Sequence, residues 1–210
     1  MTVLSQILQY KIVAIIRGAN PADVVSIAEA LYKGGVRLLE VTLNSSNALE
    51  LVKELSGKMD NKLLIGAGTV LNASMAKRAI DAGAKFIISP TLNIETIQVT
   101  KELGAVSIPG AFTATEILTA HESGADIVKV FPASVGPDYI KDIRGPLSHI
   151  PLMPTGGITL NNVSDYFKVG AVAVGIGSDL VNTKEQVNDV YLEQLKNKAI
   201  AFMQIALRNG

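Results

Sequence analysis

A lysine lies inside the apolar run Asp126-Ile127-Val128-Lys129-Val130-Phe131-Pro132. The β-branched neighbours read as a buried strand. A strand with both faces covered has little room for a hydrated ammonium, so burial favours the neutral amine. A neutral amine attacks carbonyl carbon and forms a Schiff base. The plainer alternative is a lysine that reaches solvent at the strand end or pairs with a carboxylate. Two further apolar strands each carry one charge. Arg17 closes Ile12-Val13-Ala14-Ile15-Ile16, and Glu40 interrupts Leu38-Leu39-Glu40-Val41-Thr42. A carboxyl beside a lysine can move protons for imine chemistry. The competing reading is a Glu40–Lys129 ion pair with a structural role only, although desolvation offsets much of the attraction in such pairs.

Two glycine turns suit an anion: Pro154-Thr155-Gly156-Gly157-Ile158 and Gly175-Ile176-Gly177-Ser178-Asp179. Glycine lets backbone N–H groups approach a phosphate closely, and Ser178 adds a hydroxyl. A single glycine turn would only make a bend; two at neighbouring strand ends form a cradle. Gly66-Ala67-Gly68-Thr69-Val70 and Ser89-Pro90 close two more strands. Metal chemistry finds no footing. There is no cysteine, and the two histidines, His121 in a helix and His149 in a loop, are expected at the surface.

These residues need a scaffold, and a repeat supplies it. An amphipathic segment, a glycine with a small or apolar successor, and a β-rich run recur at Gly35, Gly83, Gly104, Gly124 and Gly170, at spacings of 48, 21, 20 and 46 residues. Glycine ends helices by taking a left-handed conformation, and helix–glycine–strand is the rhythm of a parallel sheet. Eight strands follow: Ile12–Arg17, Leu38–Leu43, Leu63–Ala67, Phe86–Ser89, Ala105–Ile108, Ile127–Phe131, Leu152–Thr155 and Ala171–Gly175. Helices are expected over Pro21–Tyr32 with Asn20 as cap, from Thr113 with a Thr-x-x-Glu capping box, over Pro137–Arg144, over Lys184–Arg208, and as a short N-terminal helix at Thr2–Gln9. The expected fold is a single-domain α/β (β/α)8 TIM barrel over residues 1–210, with an open doubly wound sheet as alternative. In such a barrel the strand ends just described form one face.

Nineteen basic and nineteen acidic residues balance, so no charge excess points to nucleic acid or an anionic membrane. No apolar run approaches the roughly 20 residues of a membrane span. Met1–Lys11 lacks the layout of a signal peptide, and the expected location is cytoplasmic.

Taken in order, Ala14-Ile15-Ile16-Arg17, Leu39-Glu40-Val41-Thr42, Gly66-Ala67-Gly68-Thr69-Val70, Ser89-Pro90, Lys129-Val130-Phe131-Pro132, Gly136-Pro137, Pro154-Thr155-Gly156-Gly157-Ile158 and Gly177-Ser178 resemble the 2-keto-3-deoxy-6-phosphogluconate (KDPG) aldolases, a family that includes the 4-hydroxy-2-oxoglutarate (KHG) aldolases. The likeness runs over nearly the whole chain. It implies a class I aldolase, a homotrimer without metal or cofactor, that cleaves a phosphorylated 2-keto acid to pyruvate and an aldehyde. By that resemblance Lys129 forms the imine and Glu40 is the general acid/base. Arg17 and Thr69 match ligands of the pyruvate carboxylate, Thr155 a substrate contact, and Pro90 and Phe131 pocket walls. Gly156, Gly157, Gly177 and Ser178 match the phosphate site. One departure concerns substrate. Asn44-Ser45 stands where well-known members carry arginine, and the Leu-Asn-Ser stretch resembles the 2-keto-3-deoxy-6-phosphogalactonate aldolases. A phosphosugar isomerase or epimerase, or a non-enzymatic barrel holding a phosphorylated acid, are the competing readings, since one fold hosts many functions.

Overall fold

The computed structural model describes residues 1–208. Helix α1 (Val3–Tyr10) leads into β1 (Ile12–Ile16). Strands and helices then alternate as α2 (Val24–Lys33), β2 (Leu38–Thr42), α3 (Ala48–Lys58), β3 (Leu64–Gly68), α4 (Ala73–Asp81), β4 (Phe86–Ile88) and α5 (Ile94–Glu102). Next come β5 (Val106–Ile108), β6 (Gly110–Ala111), α6 (Ala114–Glu122), β7 (Val128–Val130), α7 (Pro137–Arg144), β8 (Leu152–Pro154), α8 (Val163–Lys168), β9 (Val174–Ile176) and α9 (Asp189–Arg208). All strand pairs are parallel. The fold is α/β with a curled parallel sheet. Six strands run in the order β5-β4-β3-β2-β1-β9 and three in the order β6-β7-β8.

Among the described residues the expected eight strands appear as nine, and Pro109 is the reason. Proline has no N–H to give a ladder, so the fifth strand is split. Val106–Ile108 pairs with β4, whereas Gly110–Ala111 pairs with β7. The chain thus passes from one sheet to the other across Pro109, whose carbonyl accepts from Lys129 N at 2.8 Å. A bridge from Thr155 to Gly175 joins the end of β8 to β9.

The glycine repeat has a common cause. Gly35, Gly83, Gly104, Gly124 and Gly170 have φ of 94°, 111°, 76°, 99° and 91°. At each, the following residue donates back five positions, as in Val36 N to Leu31 O and Ala171 N to Tyr166 O. This is the Schellman ending, which satisfies orphan carbonyls and turns the chain toward the next strand. Helix starts follow their caps. Asn20 Oδ1 accepts from Ala22 N, although the first turn there is a 3-10 turn, Pro21–Asp23. The last helix starts at Asp189, five residues later than its polar periodicity suggests, because the Asn188 side chain caps Tyr191 N. The Thr113–Glu116 capping box forms in both directions. Thr113→Ala is expected to cost about 1 kcal/mol, read as a lower urea midpoint with an unchanged m-value.

Side chains alternate along the strands. One set packs under the helices: Ile12, Ala14, Ile16, Leu39, Val41, Val128 and Val130 belong to the larger core. The other set, Val13, Leu38, Phe86, Ile88, Val106, Ile108, Ile127, Met153 and Ala173, forms a second apolar cluster that α1 closes with Ile7. That cluster draws on both sheets and is the floor beneath the site.

Candidate active site

Two residues beyond three of the floor positions, the same face turns polar. Leu38 is followed by Glu40, Ile127 by Lys129, and Met153 by Thr155. Glu40 is 1% exposed, Lys129 2% and Thr155 5%. Glu40 pairs in register with Ile15 of β1 and Gly66 of β3. Lys129 lies between Gly110 and Met153. Glycine on β3 makes the space: a Cβ at Gly68 would lie 1.6 Å from Glu40 Oε1, and one at Gly66 would lie 2.1 Å from the Phe86 ring.

Neither Glu40 oxygen has a hydrogen-bond partner. Burial raises the Glu40 pKa, and the Lys129 and Arg17 charges only partly oppose that. Burial lowers the Lys129 pKa; Glu40 works against the shift and Arg17 works with it. For both groups desolvation is the largest cause, so the neutral acid and the neutral amine are favoured. A neutral pair and an ion pair hold the same single proton, so the two groups titrate as a coupled pair. The Lys129 Nζ also stands 4.8 Å from the Phe131 ring centroid.

A cleft of about 650 Å3 opens next to this pair, and its lining includes Ile15, Arg17, Phe131, Thr155, Gly156, Gly157, Gly177 and Ser178. Glu40 and Lys129 lie outside that lining and adjoin it through Ile15, in register with Glu40, and the Phe131 ring beside Lys129. Gly156 and Gly157 have φ of 94° and 75°, and a Cβ at Gly157 would approach Ser134 to 3.0 Å. Arg17 follows β1 and is exposed, so of the three charges only Glu40 and Lys129 are buried within strands. Its peptide is held on both sides. Thr183 Oγ1 donates to the Arg17 carbonyl at 2.8 Å, and Gly18 N donates to Ser45 Oγ at 2.9 Å. Thr69 (φ 55°) and Pro90 are half-buried in the loops after β3 and β4, outside the lining of this cleft. His149 is exposed as expected, but His121 is half-buried, its ring 5.4 Å from that of His149. Among the described residues no group of three or more His, Cys, Asp or Glu is placed to hold a metal ion. Asp179, Thr183 and Lys184 also line the cleft. The sequence periodicity hides the last of these by assigning it to the final helix.

Fold and site together define an α/β protein with a buried amine and a buried carboxyl next to a glycine-edged cleft. The family model "KDPG and KHG aldolase" matches residues 3–195, and the chain belongs to that family; it is an aldolase, a lyase. It is 33% identical over 195 residues to a 2-dehydro-3-deoxy-6-phosphogalactonate aldolase of Escherichia coli (strain K12), covering 92% of this chain and 93% of the relative. A 2-dehydro-3-deoxy-phosphogluconate aldolase of Pseudomonas aeruginosa is 37% identical over 161 residues, covering 76% of this chain and 73% of the relative. The structure of KDPG aldolase from Legionella pneumophila, with pyruvate captured at low pH as a covalent carbinolamine intermediate, superposes with a TM-score of 0.86 at 28% identity, covering 96% of this chain and 98% of that one. No helix among the described residues is long and apolar enough to cross a membrane.

Proposed function

We propose that this protein cleaves KDPG to pyruvate and glyceraldehyde 3-phosphate through an imine at Lys129. The observation that carries the reading is the Lys129 amine, buried, driven toward its neutral form, and set against the Phe131 ring that lines the open cleft. Lys129 attacks the C2 carbonyl to give a carbinolamine, the kind of adduct captured in the Legionella relative. Glu40, held protonated by burial, gives its proton to the departing hydroxyl, and water leaves. The resulting carboxylate takes the proton of the C4 hydroxyl as the C3–C4 bond breaks. The electron pair flows into the protonated imine, leaving an enamine and the aldehyde. Protonation at C3 and hydrolysis release pyruvate. One carboxyl serves each step because its raised pKa makes both forms accessible. Arg17, with Thr69, takes the substrate carboxylate, Thr155 and Phe131 contact the bound chain, and Pro90 is a pocket wall. Gly156, Gly157, Gly177 and Ser178 cradle the phosphate.

The galactonate epimer is the second reading, favoured by Asn44-Ser45 and by the E. coli relative that this chain matches over 92% of its length. It yields the same products, so the mechanism is unchanged. Cleavage of KHG would leave the cradle empty. In this reading the two sheets close as one eight-unit barrel, with β5 and β6 a single strand bent at Pro109, and the chain works as a cytoplasmic homotrimer.

Incubation with pyruvate and borohydride, followed by peptide mapping, is expected to place one reduced pyruvate on Lys129. Folded protein that stays unmodified under excess pyruvate would overturn the imine and favour an isomerase using Glu40 alone.

A further inference from the structure

The phosphate cradle has a charge problem. Glycine N–H groups and the Ser178 hydroxyl offer hydrogen bonds without formal charge. A phosphate monoester brings about −1.5 to −2 at neutral pH. The charged residues lining the cleft are Arg17, Asp179 and Lys184. Arg17 serves the carboxylate end beside Lys129 in the reading above. Without Lys184 the lining would therefore meet a dianion with Asp179 alone. Asp179 is in turn engaged by Lys198, whose Nζ lies 3.4 Å from its Oδ2.

Lys184 is exposed at the cleft and held by its neighbours. Its N–H donates to Asn182 Oδ1 at 3.3 Å, and Asn182 Nδ2 donates to Glu185 Oε1 at 2.6 Å, which occupies the adjacent carboxylate. Thr183 Oγ1 donates to the Arg17 carbonyl, pinning this segment across the cleft to the end of β1. Resting on the aldolase reading, we propose that Lys184 is the cation that binds the distal phosphate, and that Thr183 positions it by docking the segment onto Arg17. The site would thus select a substrate with a carboxylate at one end and a phosphate at the other.

The test is condensation of pyruvate with glyceraldehyde 3-phosphate and with glyceraldehyde, compared as a ratio of kcat/KM. Loss of one charge-assisted contact in Lys184→Gln should lower that ratio about tenfold. The loss should appear in KM for the phosphorylated aldehyde rather than in kcat. Lys184→Arg should restore most of it. Thr183→Val should lower the ratio in the same direction and add nothing once Lys184→Gln is present. A ratio unchanged by Lys184→Gln, with the pyruvate adduct on Lys129 intact, overturns the Lys184 assignment alone. Additive losses overturn the positioning role of Thr183. Absence of the adduct removes the aldolase reading and this assignment together.

Discussion

Lys129→Arg is expected to lower the rate of 2-keto acid cleavage by at least about 10³-fold, an increase of roughly 4 kcal/mol in the reaction barrier. The substitution keeps a positive charge and a long side chain, so it separates two roles for the same position. If Lys129 only attracted an anion, guanidinium would substitute tolerably. If it attacks carbon, the replacement fails, because guanidinium stays protonated and offers no nucleophilic lone pair. The environment sharpens the contrast. Lys129 is 2% exposed and burial favours its uncharged form. Arginine cannot relieve the desolvation by losing a proton, so the variant should also unfold at a lower temperature. Circular dichroism at the assay temperature checks that the variant is folded. Folded Lys129→Arg with turnover within tenfold of the parent would rule out the imine.

The burial of Glu40 and Lys129 was legible in the sequence because strands carry information at short range. Period-two alternation puts Glu40 two residues above Leu38 and Lys129 two above Ile127, so a charge at either place must enter the same interior as the apolar floor. The five glycines after helices were legible for a similar local reason, since one left-handed residue ends each helix. What escaped depends on distant parts of the chain. Arg17 reads as a third buried charge, but it lies past the strand end and is exposed, its carbonyl tied to Thr183, 166 residues away. The split of the fifth strand depends on which neighbour each half meets across Pro109. The room for Glu40 comes from missing side chains at Gly66 and Gly68, a feature that in sequence looks only like a turn. Lys184 carries a helical polar pattern, yet the helix waits for the cap at Asn188.

Glu40→Gln tests the other half of the pair. Its cleavage rate is expected to fall by about 10² to 10⁴-fold, the range for a positioned acid–base group. The pyruvate adduct on Lys129 should still accumulate on long incubation with borohydride, because amide does not abolish the amine's attack. Its pH dependence should move. The Glu40 charge raises the Lys129 pKa against burial; once that charge is gone, the amine deprotonates at lower pH, and adduct formation should begin at lower pH than in the parent. Stability gives an independent reading of the same carboxyl. Glu40 has a folded pKa raised above 4.5. The unfolded state therefore ionises first as pH rises, the folded state holds more protons in the window between the two values, and the native protein loses stability across it. Lys129 behaves oppositely, since its folded pKa lies below 10.5, and it adds stability as pH climbs toward the ordinary lysine value. Glutamine deletes the first slope and starts the second at lower pH, so both changes favour the variant as pH rises. The parent should thus lose thermal stability relative to Glu40→Gln as pH rises above the ordinary carboxylate range. Parallel curves for the two proteins would show that Glu40 keeps an ordinary pKa, and that the carboxyl could not hold a proton for the departing hydroxyl.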